Sequence, residues 1–373
     1  MRNPKRAAVV GTGSTEIVRT SDKSLGHFAV EAARNAIRDA GLKTSDIDGY
    51  VGSPGAPNAS ALNLDGLDEV SQLFMIGALG LEPTWAMDVV GMSTGMLVAG
   101  AQALAAGTCK YVLGVRAHYN PKDRKYSVSG ANLAGGPDQF TLPFGYGPGG
   151  TRFALWVQRY MHDYGATRDE LYEISALARR HARLNPLAIW REGPELTRDA
   201  YMNARWIHEP MCLFDSDMPA TGAGAFIMTT AERAKDLPQT PAYVASYANA
   251  TQPSRVFSDI GLRAGDIQVA QLYDGYSVMV WNTLEKLGFC GEGEGHLFAT
   301  ADRLSLGGAL PMNTFGGSIG EGRLHGMGHV REAVLQTMGR AGSRQVPDVR
   351  YSLAQVGVLE RFWSVLFSSE EPD

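Results

Sequence analysis

Several separated stretches of this chain carry the residue types that do chemistry. Gly91-Met92-Ser93-Thr94-Gly95 has the G-x-S-x-G spacing of a serine-hydrolase elbow, in which a serine is exposed on a sharp strand-to-helix turn. His325 lies downstream in the order such a triad needs, but no HGGG-type oxyanion loop precedes the pentad. Tyr273-Asp274-Gly275-Tyr276 closes the apolar run IQVAQL. A tyrosine at the end of a strand can hydrogen-bond an oxyanion or exchange a proton, and it can equally be a core residue satisfied by backbone. Asn313 and the Gly316-Gly317 turn could bring backbone N–H groups close to a ligand, as glycine permits, or pack a strand against a helix. His325 precedes the helical stretch GMGHVREAV, where it could face a site or cap the helix. His329, four residues on, shares its helix face, and the pair lacks the glutamate of H-E-x-x-H, so it is a weak metal signal. Tyr351 opens the stretch YSLAQVGVLE. The three cysteines, Cys109, Cys212 and Cys290, form no C-x-x-C pair and no disulfide framework. Cys290, in LGFCGEGEG, reads as structural.

These residues need elements to position them. With 373 residues, 44% of them hydrophobic, and a net charge of −5, the chain can bury sizeable cores. It has no basic patch suited to a phosphate backbone, so nucleic acid is not an expected partner. No apolar run reaches the roughly 18 residues of a membrane span. The basic start MRNPKR leads into an apolar run that Gly11 breaks at once, too short for a signal peptide, and the expected location is the cytoplasm. AAVVGTG reads as a strand, SLGHFAVEAARNAIRDAGL as a helix, IDGYVGSP as a strand, DEVSQLFMIGALGL as a helix, TWAMDVV as a strand, STGMLVAGAQALAAGT as a buried helix and KYVLGVRA as a strand. That alternation points to a layered α/β fold. The GTG at 11–13 is a poor dinucleotide fingerprint, because Glu16 occupies the third glycine position.

Residues 118–207 turn rich in Tyr, Pro, Gly, Arg and His, the signature of an insertion serving as a lid, a substrate-binding excursion or a subunit contact. The step Gly-Leu-basic-x-x-Asp-Ile occurs at Gly41 and again at Gly261, each time ahead of a strand. The chain therefore reads as two similar α/β halves, 1–235 (with the insertion) and 236–373.

Three stretches resemble the thiolase superfamily. DVVGMSTGMLVAGAQALAAGTCKYVLGV resembles the strand and buried helix at whose junction the nucleophilic cysteine sits. LYDGYSVMVWNTLEKLGFCGEGEG resembles the segment bearing the oxyanion motif, and MNTFGGSIGEGRLHGMGHVREAVLQTMGRAG the Asn-x-x-Gly-Gly turn and the His-Gly-Met helix. The resemblance implies a thiolase-like fold of two α/β halves in α-β-α-β-α layers. It also locates the departures. Met92 stands at the nucleophile position, and the second cysteine due in YSLAQVGVLE is absent, as is the Gly-Gly usually found there. A thioether cannot ionise, so ordinary thiolysis is not expected.

With Tyr-Asp-x-Tyr at the oxyanion motif, the sequence resembles the cysteine-less, thiolase-like lipid-transfer-protein aldolases. That branch implies retro-aldol cleavage of a bulky β-hydroxyacyl-CoA of the steroid or bile-acid kind, which needs a base for the β-hydroxyl and donors for the enolate. The implied catalytic residues are Tyr273, His325 and Tyr351, with Tyr276, Asn313, Gly317, Ser93 and Met92 around the substrate. No cofactor is implied beyond the CoA of the substrate. The implied assembly is a homodimer with a small zinc-ribbon and OB-fold partner that binds acyl-CoA, any zinc belonging to that partner. Three other readings stay open: an acyl-transferring Claisen-type enzyme, which the retained His325 suits; a hydrolase using Ser93; and a non-catalytic subunit that stabilises an active one.

Overall fold

The computed structural model describes residues 6–53, 64–89, 92–120, 122, 139–146, 150–359 and 361–372. The chain opens with β1 (Ala7–Ser14), α1 (Leu25–Asp39), β2 (Gly49–Gly52), α2 (Gln72–Leu79), β3 (Trp85–Asp88), α3 (Met92–Ala106) and β4 (Tyr111–His118). Next come α4 (Gly150–Tyr164), α5 (Arg168–Ala182), α6 (Arg198–Met202), the small pair β5 (Trp206–His208) and β6 (Met211–Cys212), and β7 (Gly222–Thr230). The remainder is α7 (Ala231–Ala234), β8 (Ala242–Ala250), α8 (Arg255–Ser258), β9 (Val269–Leu272), α9 (Met279–Leu287), α10 (Gly295–Phe298), α11 (Ala301–Leu304), α12 (Gly317–Gly320), α13 (Met327–Thr337), β10 (Tyr351–Val358) and β11 (Arg361–Ser368).

Nine strands pair in the order β3-β2-β4-β7-β1-β8-β11-β10-β9. β1 and β8 meet only through Ala8–Tyr243 and Val9–Ala242. Outward from that seam the two arms follow one plan, β1-β7-β4-β2-β3 and β8-β11-β10-β9, and a lone parallel bridge from Met312 to Ala270 stands where the second arm would carry its β3. The outer pairs are parallel, β3-β2 and β2-β4 in the first arm and β9-β10 in the second, and the pairs nearer the seam are antiparallel. The repeated Gly-Leu-basic-x-x-Asp-Ile step has a shared physical cause. Gly41 and Gly261 have φ of +71° and +74°, a region that suits glycine. Asp46 and Asp266 each accept a 2.7 Å hydrogen bond from the backbone N–H of the basic residue, closing a one-turn helix ahead of β2 or β9.

Helix α3 is apolar nearly all round because it is buried nearly all round. Together with α13 it packs against strands of both arms, where Met96, Leu97 and Leu104 meet Val330, Val334, Met228 and Phe367. Helix α1 covers the outer face of the first arm with Phe28, Ala32 and Ile37. On the far side of the second arm Val157 of α4, Leu171 and Ile174 of α5 and Trp281 of α9 share a core with Leu272, Leu353 and Leu366. The layers therefore run α-β-α-β-α. Where it is described, the stretch expected as an insertion supplies helices of this last layer, since α4 and α5 carry amphipathic faces that must be buried somewhere. Among the described residues no helix is long and apolar enough to cross a membrane.

Candidate active site

The site is built where the C-terminal ends of β9 and β4 meet the turns that lead into α3, α12 and α13. Tyr273 is the first residue past β9, and its N–H donates to the Gln355 carbonyl at 3.1 Å. Asn313 holds the preceding residue on both sides, accepting from Leu272 N at 2.8 Å and donating to Leu272 O at 2.8 Å, as a neighbouring strand would. Asp274 points the other way, into the start of α12, where it accepts from Ser318 N at 2.7 Å and lies 3.1 Å from His329 Nε2. Gly317 is required here: its φ is +62°, and a Cβ would lie 1.9 Å from Asp274 Oδ2. Gly275 is close-packed too, with a Cβ position 3.0 Å from the Tyr273 ring. The tyrosine, 5% exposed, is thus clamped from three sides by its own tetrapeptide and by Asn313.

Tyr273 shares one apolar cluster with Met92, Tyr276, Phe153, Met279 and Val356, so three of the expected site residues come together. Met92 enters α3 with φ +51°, His325 leads into α13 with φ +47°, and Asn313 has φ +46°. Left-handed backbone at a non-glycine residue costs on the order of 1–3 kcal/mol and concentrates at functional sites. Three such residues at one point are an observed reservoir of that kind.

His325 is buried, and both of its ring nitrogens face guanidinium groups. Nδ1 is in contact with Arg116 Nη2, and Nε2 lies 2.6 Å from Arg323 Nη2. Arg116 also donates to the Ser53 carbonyl. The His118 ring packs edge-on against His325, centroids 4.7 Å apart, with Nδ1 3.1 Å from the Ala220 carbonyl. Asp217, just before β7, is 3.5 Å from Arg323 Nε, and its N–H donates to Gly275 O at 3.0 Å.

The electrostatics follow from burial and crowding. Burial first, and then the two arginines, push the imidazoles of His118 and His325 well below the usual histidine range. Burial lowers Arg116 to about 10, and burial with the neighbouring Arg116 lowers Arg323 to about 9. Burial, reinforced by Asp274, pushes the Asp217 carboxyl up. Burial, with the charge of Asp217, raises the phenols of Tyr273 and Tyr276, and Arg116 opposes the rise at Tyr273. Tyr273 is consequently a protonated donor, set within the field of the Arg116 charge.

Two expectations meet a different geometry. Ser93 is fully buried in the first turn of α3, and its hydroxyl donates to the backbone carbonyl of His325 at 2.9 Å. The serine therefore ties α3 to the His325 turn; it does not reach an imidazole as a triad serine must. Tyr351 stands at the N-terminal start of β10, where its N–H donates to Gln268 Oε1 at 2.8 Å and its ring lies 5.3 Å from the Arg350 guanidinium. Leu272, adjoining Tyr273, pairs with Gln355, so Tyr351 is four residues, or roughly 13 Å, back along the strand. Parallel strands present function at their C-terminal ends, and in β10 that end is Val356–Gly357.

Four residues of the cluster were not singled out in the sequence: Arg116, His118, Asp217 and Arg323. A signal existed for two of them. Arg116 and His118 alternate at the end of the otherwise apolar KYVLGVRAH, so they lie on one face of β4, and charge within a buried strand calls for a partner.

Comparison with known proteins agrees with this geometry. Residues 230–361 match the family model described as "Thiolase C-terminal domain-like". The chain is 32% identical to a steroid side-chain-cleaving aldolase of Thermomonospora curvata, over 95% of each chain. It is 30% identical to a 17-hydroxy-3-oxo-4-pregnene-20-carboxyl-CoA lyase of Mycobacterium tuberculosis, over 94% of this chain and 96% of that one. The solved structure of an Ltp2-ChsH2(DUF35) aldolase superposes with a TM-score of 0.85 at 30% identity, covering 99% of both chains. A fold of two similarly ordered arms around α3 and α13, with likeness to aldolases along its whole length, makes this chain a member of the thiolase-like family.

Proposed function

We propose that the protein is a carbon-carbon lyase that cleaves a bulky β-hydroxyacyl-CoA by retro-aldol reaction, releasing a ketone or aldehyde and a shortened acyl-CoA. The observation that carries this reading is a clamped, protonated Tyr273 that feels the charge of Arg116, itself joined with Arg323 to His325, at a site where the thiolase nucleophile position holds Met92. Acyl transfer needs a thiolate, and the three cysteines lie elsewhere. Cys109 packs against Gly49 at the opposite end of β2, Cys212 closes β6 and Cys290 follows α9. Burial pushes their thiols up to about 11, 11 and 12. This disfavours the Claisen-type reading. Retro-aldol cleavage needs no covalent nucleophile, only proton acceptors and donors and a counter-charge for the enolate.

In this reading Tyr273 donates to the developing enolate and protonates its α-carbon, and Arg116 stabilises the phenolate left behind. Tyr276, Met92 and Phe153 wall the acyl group. The α/β sheet supplies rigidity, and the left-handed turns at Met92 and His325 aim the groups. The acyl chain is steroid-like, a reading supported by the substrates named for the two relatives. The partner is a DUF35-type protein, a reading supported by the composition of the matched complex; that it is a zinc-ribbon and OB-fold chain holding any zinc belongs to the proposal alone. A homodimer is supported by β3, which ends the sheet with its outer edge unpaired among the described residues and Met87 44% exposed. The test is direct: with such a partner co-expressed, 17-hydroxy-3-oxo-4-pregnene-20-carboxyl-CoA yields the 17-ketone and propionyl-CoA by mass spectrometry with the wild type and not with Tyr273→Phe. Release of free CoA alone would overturn the reading.

A further inference from the structure

The cluster contains a proton acceptor that the reading above leaves unused. His118 ends β4 with no exposed surface. Its Nδ1 lies 3.1 Å from the Ala220 carbonyl, and a carbonyl can only accept, so the proton of the neutral ring sits on Nδ1. That leaves Nε2 as a lone pair, and among the described residues it has no hydrogen-bond partner. An orphaned acceptor in a fully buried position is destabilising. It is also the arrangement in which a second-sphere carbonyl fixes the tautomer of a working imidazole. The ring packs on His325, which contacts Arg116 and Arg323, and both arginines act on His118 electrostatically.

We propose that His118 is the general base of the retro-aldol reaction, its Nε2 accepting the proton of the substrate β-hydroxyl; the proposal rests on the lyase reading above. In the forward step the O–H proton moves to His118 Nε2, the C–O bond becomes a carbonyl, and the Cα–Cβ bond breaks with its electron pair passing into the thioester enolate. The enolate then takes a proton at Cα from Tyr273, and the proton held on His118 returns to the Tyr273 phenolate, so that both groups end as they began. The nearby guanidinium groups make imidazolium unfavourable before the reaction begins. During reaction, however, the imidazolium and the enolate form together, and the anion offsets the added charge. The division of labour is therefore specific: His118 serves the hydroxyl, and Tyr273 serves the α-carbon.

Two amide variants separate a base from a positional residue, because an amide keeps hydrogen-bonding atoms but takes no proton. His118→Asn keeps an N–H donor near the Nδ1 position for Ala220 and has no acceptor at Nε2; His118→Gln places a non-basic amide near Nε2. With the DUF35-type partner present, either variant should cleave the pregnene-carboxyl-CoA about 10²–10³-fold more slowly than wild type. Its exchange of the α-protons of propionyl-CoA with D2O should fall as well, because the Tyr273 phenolate forms only as His118 takes the phenol proton, whereas propionyl-CoA binding by calorimetry should stay within about threefold. Cleavage within about tenfold of wild type in both variants would overturn the role of His118 while leaving the lyase reading intact. So would loss of propionyl-CoA binding in proportion to the loss of cleavage, which marks a purely positional residue. A wild type that neither cleaves nor exchanges would instead remove the lyase reading on which the assignment stands.

Discussion

Ser93→Ala separates a lyase from a hydrolase more sharply than any other single substitution. The Ser93 hydroxyl is fully buried and spends its proton on the His325 carbonyl at 2.9 Å. Alanine leaves that carbonyl without its donor, at a residue whose φ is already +47°. A buried acceptor stripped of its partner costs about 1–3 kcal/mol. For a domain of a few hundred residues that corresponds to roughly 2–4 °C in melting temperature per kcal/mol, and less for a longer chain. The catalytic effect is indirect, through a small displacement of His325 against Arg116 and Arg323, and should stay within about tenfold, or about 1.4 kcal/mol of transition-state stabilisation. A nucleophile deletion would instead cost about 10⁴-fold or more. The assay is steady-state release of ketone and propionyl-CoA, read beside a thermal melt and fluorophosphonate labelling. A loss beyond about 10³-fold with an unchanged melt, or a covalent adduct on Ser93, would refute the geometry argued above and restore the hydrolase.

Three other outcomes follow from the same contacts. Tyr273→Phe should lower turnover by about 10²–10⁴-fold with little change in melting temperature, because the ring remains to fill its place between Gly275 and Val356; a change under tenfold would count against the phenol as proton donor. Gly317→Ala should destabilise by about 3 kcal/mol or more, since the new Cβ displaces Asp274 from Ser318 and His329 and the φ of +62° disfavours any side chain; an unaltered urea midpoint would contradict it. Acid should weaken the fold through His181, whose Nδ1 lies 3.1 Å from the Met312 carbonyl and whose pKa burial lowers from 6.5 to about 4. Above pH 6.5 neither state binds the proton. As pH falls from there towards 4 only the unfolded chain binds it, so stability declines by up to about 3 kcal/mol. Urea midpoints from pH 7 to pH 4.5 should fall less steeply in His181→Asn than in wild type, with His118 and His325 adding to the slope in both.

Much of this protein is legible along the chain because its causes are local. The alternation of apolar runs and amphipathic stretches follows from which faces are buried, and the almost wholly apolar STGMLVAGAQALAAGT announces a helix buried nearly all round. The Gly41 and Gly261 steps are readable because glycine is needed at a positive φ and an aspartate closes the turn three residues after the basic residue. Met92 in place of a thiolate, and the phenols of Tyr273 and Tyr276 at the end of a strand, are likewise facts of residue type and position. The site itself was decided by tertiary structure. Arg116 meets His325 across 209 positions, and Ser93 meets it across 232; no periodicity encodes such contacts. Whether a serine hydroxyl faces an imidazole or a carbonyl is settled by how α3 and α13 lie between the two arms. Which end of β10 carries function is settled by its parallel pairing with β9, which puts Tyr351 at the wrong end and Val356 at the right one. The orphaned Nε2 of His118 arises in the same way, because only the folded chain brings the Ala220 carbonyl to the other nitrogen and thereby chooses the tautomer.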